Sequence, residues 1–164
     1  MGDAVNPWLH IIAATIWIGP QFFLAAVAVP AIRTVADTKE RARLMRLITT
    51  RFGYLAWGAM AVLVITGIGN IYEQDDDLDL LFDLHWGVVF QTKMTLVILT
   101  ILLTAVHSFV IGPRMLKAQE SVTNEAEIAS MRRFSIIISG VNLLLALGIV
   151  FCGALLNTRW ALEG

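Results

Sequence analysis

Apolar residues in this chain run in four long stretches, at residues 8–32, 54–72, 86–111 and 134–156. Each is close to the roughly 20 residues that a helix needs to cross a hydrocarbon core about 30 Å thick. A water-soluble four-helix bundle would show charged or polar positions at helical spacing. Residues 56–68 instead carry no charge and one side-chain hydroxyl, Thr66. Runs such as 96–103 do not alternate polar and apolar residues, which excludes the strands of a membrane β-barrel. In lipid the backbone must satisfy itself, so the four stretches predict helices. The expected architecture is all-α: an integral membrane bundle of four antiparallel helices, forming one domain over residues 1–164.

The first stretch is expected to remain as a helix, because no Lys or Arg precedes it and it exceeds the apolar core of a signal peptide. Residues 37–51 allow two readings. They form either a surface helix with Leu44, Leu47 and Ile48 toward lipid, or an extension of the second membrane helix. No internal repeat is evident in the letters.

Composition agrees with this picture. Of 164 residues, 57% are hydrophobic and 15% charged, against about 45–50% and about 25% in soluble domains. A formal net charge of -1 gives no basis for a nucleic-acid partner. Where the charges lie is more informative. Arg33, Lys39, Arg41, Arg43, Arg46 and Arg51 lie between the first two stretches, and Arg114, Lys117, Arg132 and Arg133 between the last two. The middle connection carries Glu73, Asp75, Asp76, Asp77, Asp79 and Asp83. The positive-inside rule then puts both termini outside a bacterial inner membrane and both basic connections in the cytoplasm. A single cysteine, Cys152, excludes an intrachain disulfide and a Cys-based zinc site.

Ionisable groups inside a span are costly and mark candidate sites. Three stand out: His10, Lys93 and His107. Trp86, Lys93, Thr100 and His107 recur every seven residues and share one helix stripe. His10, Ala14, Trp17 and Gln21 form a second, and Ser135, Ser139 and Asn142 a third. At 1.5 Å per residue, His10 and His107 lie about 25 Å apart along the bilayer normal and cannot share one metal. Two haems, one near each face, would use both imidazoles. His10 would be the outer iron ligand, with Lys93 meeting a propionate. His107 would be the inner ligand, with Asn142 at similar depth and Arg114 placed for a propionate. His85 is a further imidazole near the outer face. Plainer readings stand beside these. His10 and Lys93 can snorkel to water, His107 can hydrogen-bond Asn142 or Ser139, and His85 can be an interfacial residue. Cys152 can be an apolar filler, and the acidic connection either solvated surface or a dock for a basic carrier protein.

Several of these residues sit in familiar strings. Trp8-Leu9-His10, the Ala-Ala-Thr-Ile-Trp-Ile-Gly at 13–19 and the Val-Pro-Ala-Ile-Arg at 29–33 resemble the first helix of CopD-type four-helix membrane proteins. The His-Ser-Phe-Val-Ile-Gly-Pro-Arg at 107–114 and the Val-Asn-Leu-Leu-Leu-Ala-Leu at 141–147 resemble the same group. An entry-helix His10 and a third-helix Lys93 are also similar to the HemJ-type protoporphyrinogen oxidases. These resemblances imply b-type haem in a membrane bundle and electron transfer toward the respiratory chain, with His10 as haem ligand and Lys93 as accessory or ligand residue. The CopD name itself points to copper. Met60 and Met94 are the methionines within the stretches and differ in depth by about 10 Å, so they form no ladder for that ion.

The leading expectation is therefore a b-type cytochrome with one or two haems, passing electrons between a quinone or periplasmic cytochrome and a redox partner. The alternatives are copper transport across the membrane and a cofactor-free assembly subunit of a respiratory complex. Lipid surrounds the protein in all three, and oligomeric state stays open.

Overall fold

The computed structural model describes residues 4–72, 84–115 and 125–158. The acidic connection from Glu73 to Asp83 lies outside the described residues, as does Lys117. Helix α1 spans Val5–Phe23, passes through one π turn at Leu24–Ala28 and continues as α2 over Val29–Arg33. Helix α3 spans Thr38–Tyr72 without a break. Helix α4 spans Leu84–Val106 and enters a second π turn at His107–Ile111, and α5 spans Glu125–Leu155. All four spans, Val5–Arg33, Thr38–Asn70, His85–Met115 and Ala129–Leu155, are long and apolar enough to cross a membrane. Of the two readings of residues 37–51, extension of the second membrane helix is the one observed.

The described residues form two compact units, one within residues 1–76 and the other within 77–164. In the first, α1 and α2 pack antiparallel on α3, so that Asn6 meets Asn70. In the second, α4 packs antiparallel on α5, and Thr104 meets Asn142. Lipid tails are as apolar as leucine, so helices associate through close packing of small residues and a few polar contacts. The buried positions fit that rule: Ala13, Ala28, Ala56, Ala59 and Thr66 in the first unit, and Thr100, Ala146 and Cys152 in the second. Larger side chains such as Trp17, Ile32, Met60 and Trp86 are buried beside them, while many others turn outward, with Ile65 69% exposed and Leu144 68%. In water that would be a defect. In a bilayer it is the lipid-facing surface.

The two units repeat one plan that the letters hide. A shift of 83 residues carries the first π turn, Leu24–Ala28, onto the second, His107–Ile111, and carries Pro30 onto Pro113. The same shift carries His10 onto Lys93, buried Trp17 onto buried Thr100 and buried Ala28 onto buried Ile111. On the second helix of each unit a shift of 86 carries Met60, Thr66 and Gly67 onto Ala146, Cys152 and Gly153. What recurs is backbone geometry and burial at the helix crossing, while the side chains have diverged.

Candidate functional site

The first unit gathers polar groups where the start of α1 crosses the end of α3. Asn6 sits before Pro7, in the first turn of α1, where the backbone N–H groups have no intrahelical partners. Its amide reaches across instead, donating to the Thr66 carbonyl at 3.1 Å and to Asn70 Oδ1 at 2.7 Å. One turn further along, His10 Nδ1 lies 2.8 Å from Thr66 Oγ1. Thr66 is itself 5% exposed, and its hydroxyl donates to the Val62 carbonyl at 2.7 Å.

Of the two glycines beside these residues, Gly69 is the one this approach requires. A Cβ on Gly69 would stand 2.7 Å from Asn6 Nδ2, so any side chain there displaces the amide. A Cβ on Gly67 would meet His10 Cε1 at 3.6 Å, an ordinary contact. The first-span stripe is realised in part. Trp17 is buried, and Gln21 turns back to donate to the Trp17 carbonyl of its own helix at 3.2 Å.

The second unit distributes its polar groups along the helix crossing. Lys93 is half-buried, and its Nζ lies 3.9 Å from where a Gly153 side chain would begin, next to buried Cys152. Thr104 donates to Asn142 Oδ1 at 3.5 Å. Asn142 is thus engaged by Thr104. Ser139 is exposed, so the expected third stripe is incomplete.

His107 is half-buried at the first position of its π turn, and its Nδ1 is buried without a hydrogen-bond partner among the described residues. π turns of this kind occur often at functional sites. Thr100 Oγ1 is likewise buried without a hydrogen-bond partner, on a residue 1% exposed. His85 lies half-buried beside Trp86, whose ring stacks on Phe90 at 5.0 Å. Arg114 is exposed just past the second π turn.

Sequence reasoning named His10 but passed over Asn6 and gave Thr66 no role, and these two residues tie α1 to α3. Thr66 was visible as the lone hydroxyl in an apolar stretch. Asn6 had no comparable signal, because it precedes the apolar run. Among the described residues no three His, Cys, Asp or Glu side chains come together as a metal-holding group.

The fold defines a class first: an all-helical, multi-pass membrane protein whose polar groups lie at helix crossings. The CopD family, described as copper resistance protein D, matches residues 46–156, and the chain belongs to that family. No curated protein and no solved structure matches it. The match covers Thr66, Lys93, His107, Arg114, Asn142 and Cys152, and begins after the first span with its His10. The family description speaks for copper. The expectation of haem and electron transfer gains nothing from it, and neither does the likeness to HemJ-type oxidases.

Proposed function

We propose that this protein carries copper across the bacterial inner membrane, with both termini outside and all four spans serving one domain. The observation that carries this reading is the match to copper resistance protein D over residues 46–156. The chemistry of the interior supports it. Copper(I) favours imidazole, thioether and thiolate donors. Half-buried His10 and His107, buried Met60 and buried Cys152 supply such groups within the spans. A transported ion must also be released, so a station with few ligands suits passage better than a closed cage. The lack of a three-ligand group among the described residues is compatible with that requirement.

His10 is the station in the first unit, near the start of its span. His107 is the station in the second, near the end of its span. Lys93 lies beside the crossing of α4 and α5, and Arg114 and His85 flank the second unit's span at its two ends.

The test uses purified full-length protein in liposomes holding a copper(I)-sensitive dye. Wild type is expected to admit copper, and His10→Ala and His107→Ala to slow it at least tenfold. Metal analysis and an optical spectrum of the same sample complete the experiment. Stoichiometric iron with a Soret band, and no copper flux, would overturn the proposal in favour of a cytochrome.

A further inference from the structure

We infer that the basic end of α3 holds an anionic phospholipid by its headgroup, with the phosphate between Arg43, Arg46 and Thr50. The inference needs the membrane span alone and does not rest on the copper reading. Those three side chains and Leu47 line a cavity of about 340 Å³, within the roughly 300–1,000 Å³ range of small-ligand sites. Steps of three, four and seven residues from Arg43 put all four on one face of the helix. Arg46 has no ion-pair partner among the described residues. Arg43 meets Glu40 at 3.6 Å, with both side chains exposed, a weak pairing that an incoming phosphate can displace. Thr50 is set apart from its neighbours. Thr49 donates to the Met45 carbonyl at 2.7 Å, and Thr15, Thr66, Thr92 and Thr95 likewise donate four residues back. Thr50 makes no such bond among the described residues, so its hydroxyl is available to a ligand oxygen.

Depth and charge identify the occupant. Thr50 stands about 6 Å before the apolar stretch that opens at Tyr54. That is within the headgroup layer, which adds about 5–7 Å on each side of the hydrocarbon. Arg46 and Arg43 follow one and two turns further out, just beyond that layer, and long side chains of this kind lean toward the interface. Guanidinium groups grip phosphate oxygens through paired N–H donors. Two of them at one site repel the ammonium of a zwitterionic headgroup, so the cavity selects a lipid of net negative charge, such as phosphatidylglycerol. Leu47 is exposed between the two arginines and the hydroxyl. It offers the glycerol and acyl end an apolar contact that a free phosphate could not use.

Native mass spectrometry of the delipidated full-length chain counts bound lipid during titration with dioleoyl-phosphatidylglycerol or dioleoyl-phosphatidylcholine. Wild type is expected to prefer the anionic lipid by at least about fivefold. Arg43→Gln/Arg46→Gln is expected to lose that preference, and Thr50→Val to weaken the anionic lipid by about two- to fivefold. Arg33→Gln/Arg51→Gln removes the same charge outside the cavity and is expected to bind within about twofold of wild type. All five side chains are exposed, so the fold survives each change. Equal weakening in the two double variants would reduce the patch to unspecific surface charge and overturn the site. Equal binding of the two lipids by wild type would do the same. Displacement of the lipid by millimolar inorganic phosphate, at an ionic strength where sodium chloride has no effect, would make a soluble anion the occupant and overturn the lipid assignment.

Discussion

Pro30 and Pro113 stand at the same point of their helices, each six residues after the first residue of a π turn. Just before each proline a backbone N–H reaches back five residues, from Val29 to the Leu24 carbonyl and from Gly112 to the His107 carbonyl. A proline ring collides with the carbonyl four residues earlier. Those carbonyls belong to Ala26 and Phe109, each the third residue of its turn. The wider turn relieves the collision and leaves the helix able to continue.

Removing one of these prolines should let the α-helical ladder close. Pro113→Ala is expected to raise unfolding stability by about 1–3 kcal/mol, and to slow copper entry by rotating His107 relative to the residues that follow. Thermal unfolding in detergent and liposome uptake measure the two effects. A lowered midpoint would show that the turn has another cause.

The two glycines beside Asn6 and His10 should respond unequally. Gly69→Ala drives a methyl into the Asn6 amide, 2.7 Å away, and endangers both of its cross-helix hydrogen bonds. The expected loss is about 1–2 kcal/mol. Gly67→Ala, with 3.6 Å to His10 Cε1, should cost well under half of that. Equal midpoints for the two variants would contradict the clasp between Asn6 and Asn70.

Thr100 offers a substitution expected to stabilise. Its hydroxyl is buried with no hydrogen-bond partner among the described residues, whereas Thr92 and Thr95 on the same helix donate to carbonyls four residues back. Thr100→Val keeps the shape and removes the orphan polar atom, for a gain of about 1 kcal/mol. A loss of stability, read by chemical unfolding, would mean that the hydroxyl is satisfied in the folded protein.

His107 should separate function from folding. Its Nδ1 has no hydrogen-bond partner among the described residues, so His107→Ala removes no such bond. Midpoint is expected to change by less than about 1 kcal/mol, while copper flux falls at least tenfold. A variant that transports normally would remove His107 from the path.

The four spans could be read because lipid imposes a single requirement, an apolar stretch of sufficient length, and residues 8–32 or 86–111 meet it without ambiguity. His10, Lys93 and His107 could be picked out because charge inside such a stretch is expensive wherever it lies. Partner choice was harder. Thr66 and Asn6 are ordinary residues until the crossing of α1 and α3 sets which turn of one helix meets which turn of the other, and spacing along a single helix does not contain that register. The preference for haem over copper came from matching imidazoles to a cofactor by residue type, and it is the family match over residues 46–156 that favours copper. The repeat of the two units was hidden for a related reason. His10 and Lys93, or Thr66 and Cys152, share a position without sharing chemistry.

Helix α3 runs for 35 residues, about 50 Å at the regular rise, through a hydrocarbon layer only about 30 Å deep. A stiff stub must therefore stand clear of the lipid, and its basic end bears Lys39, Arg41, Arg43 and Arg46. Thr66 rides on that same shaft, about 35 Å from Arg43. Any force or twist delivered to the projecting tip is transmitted through an unbroken lever to the hydroxyl that grips His10.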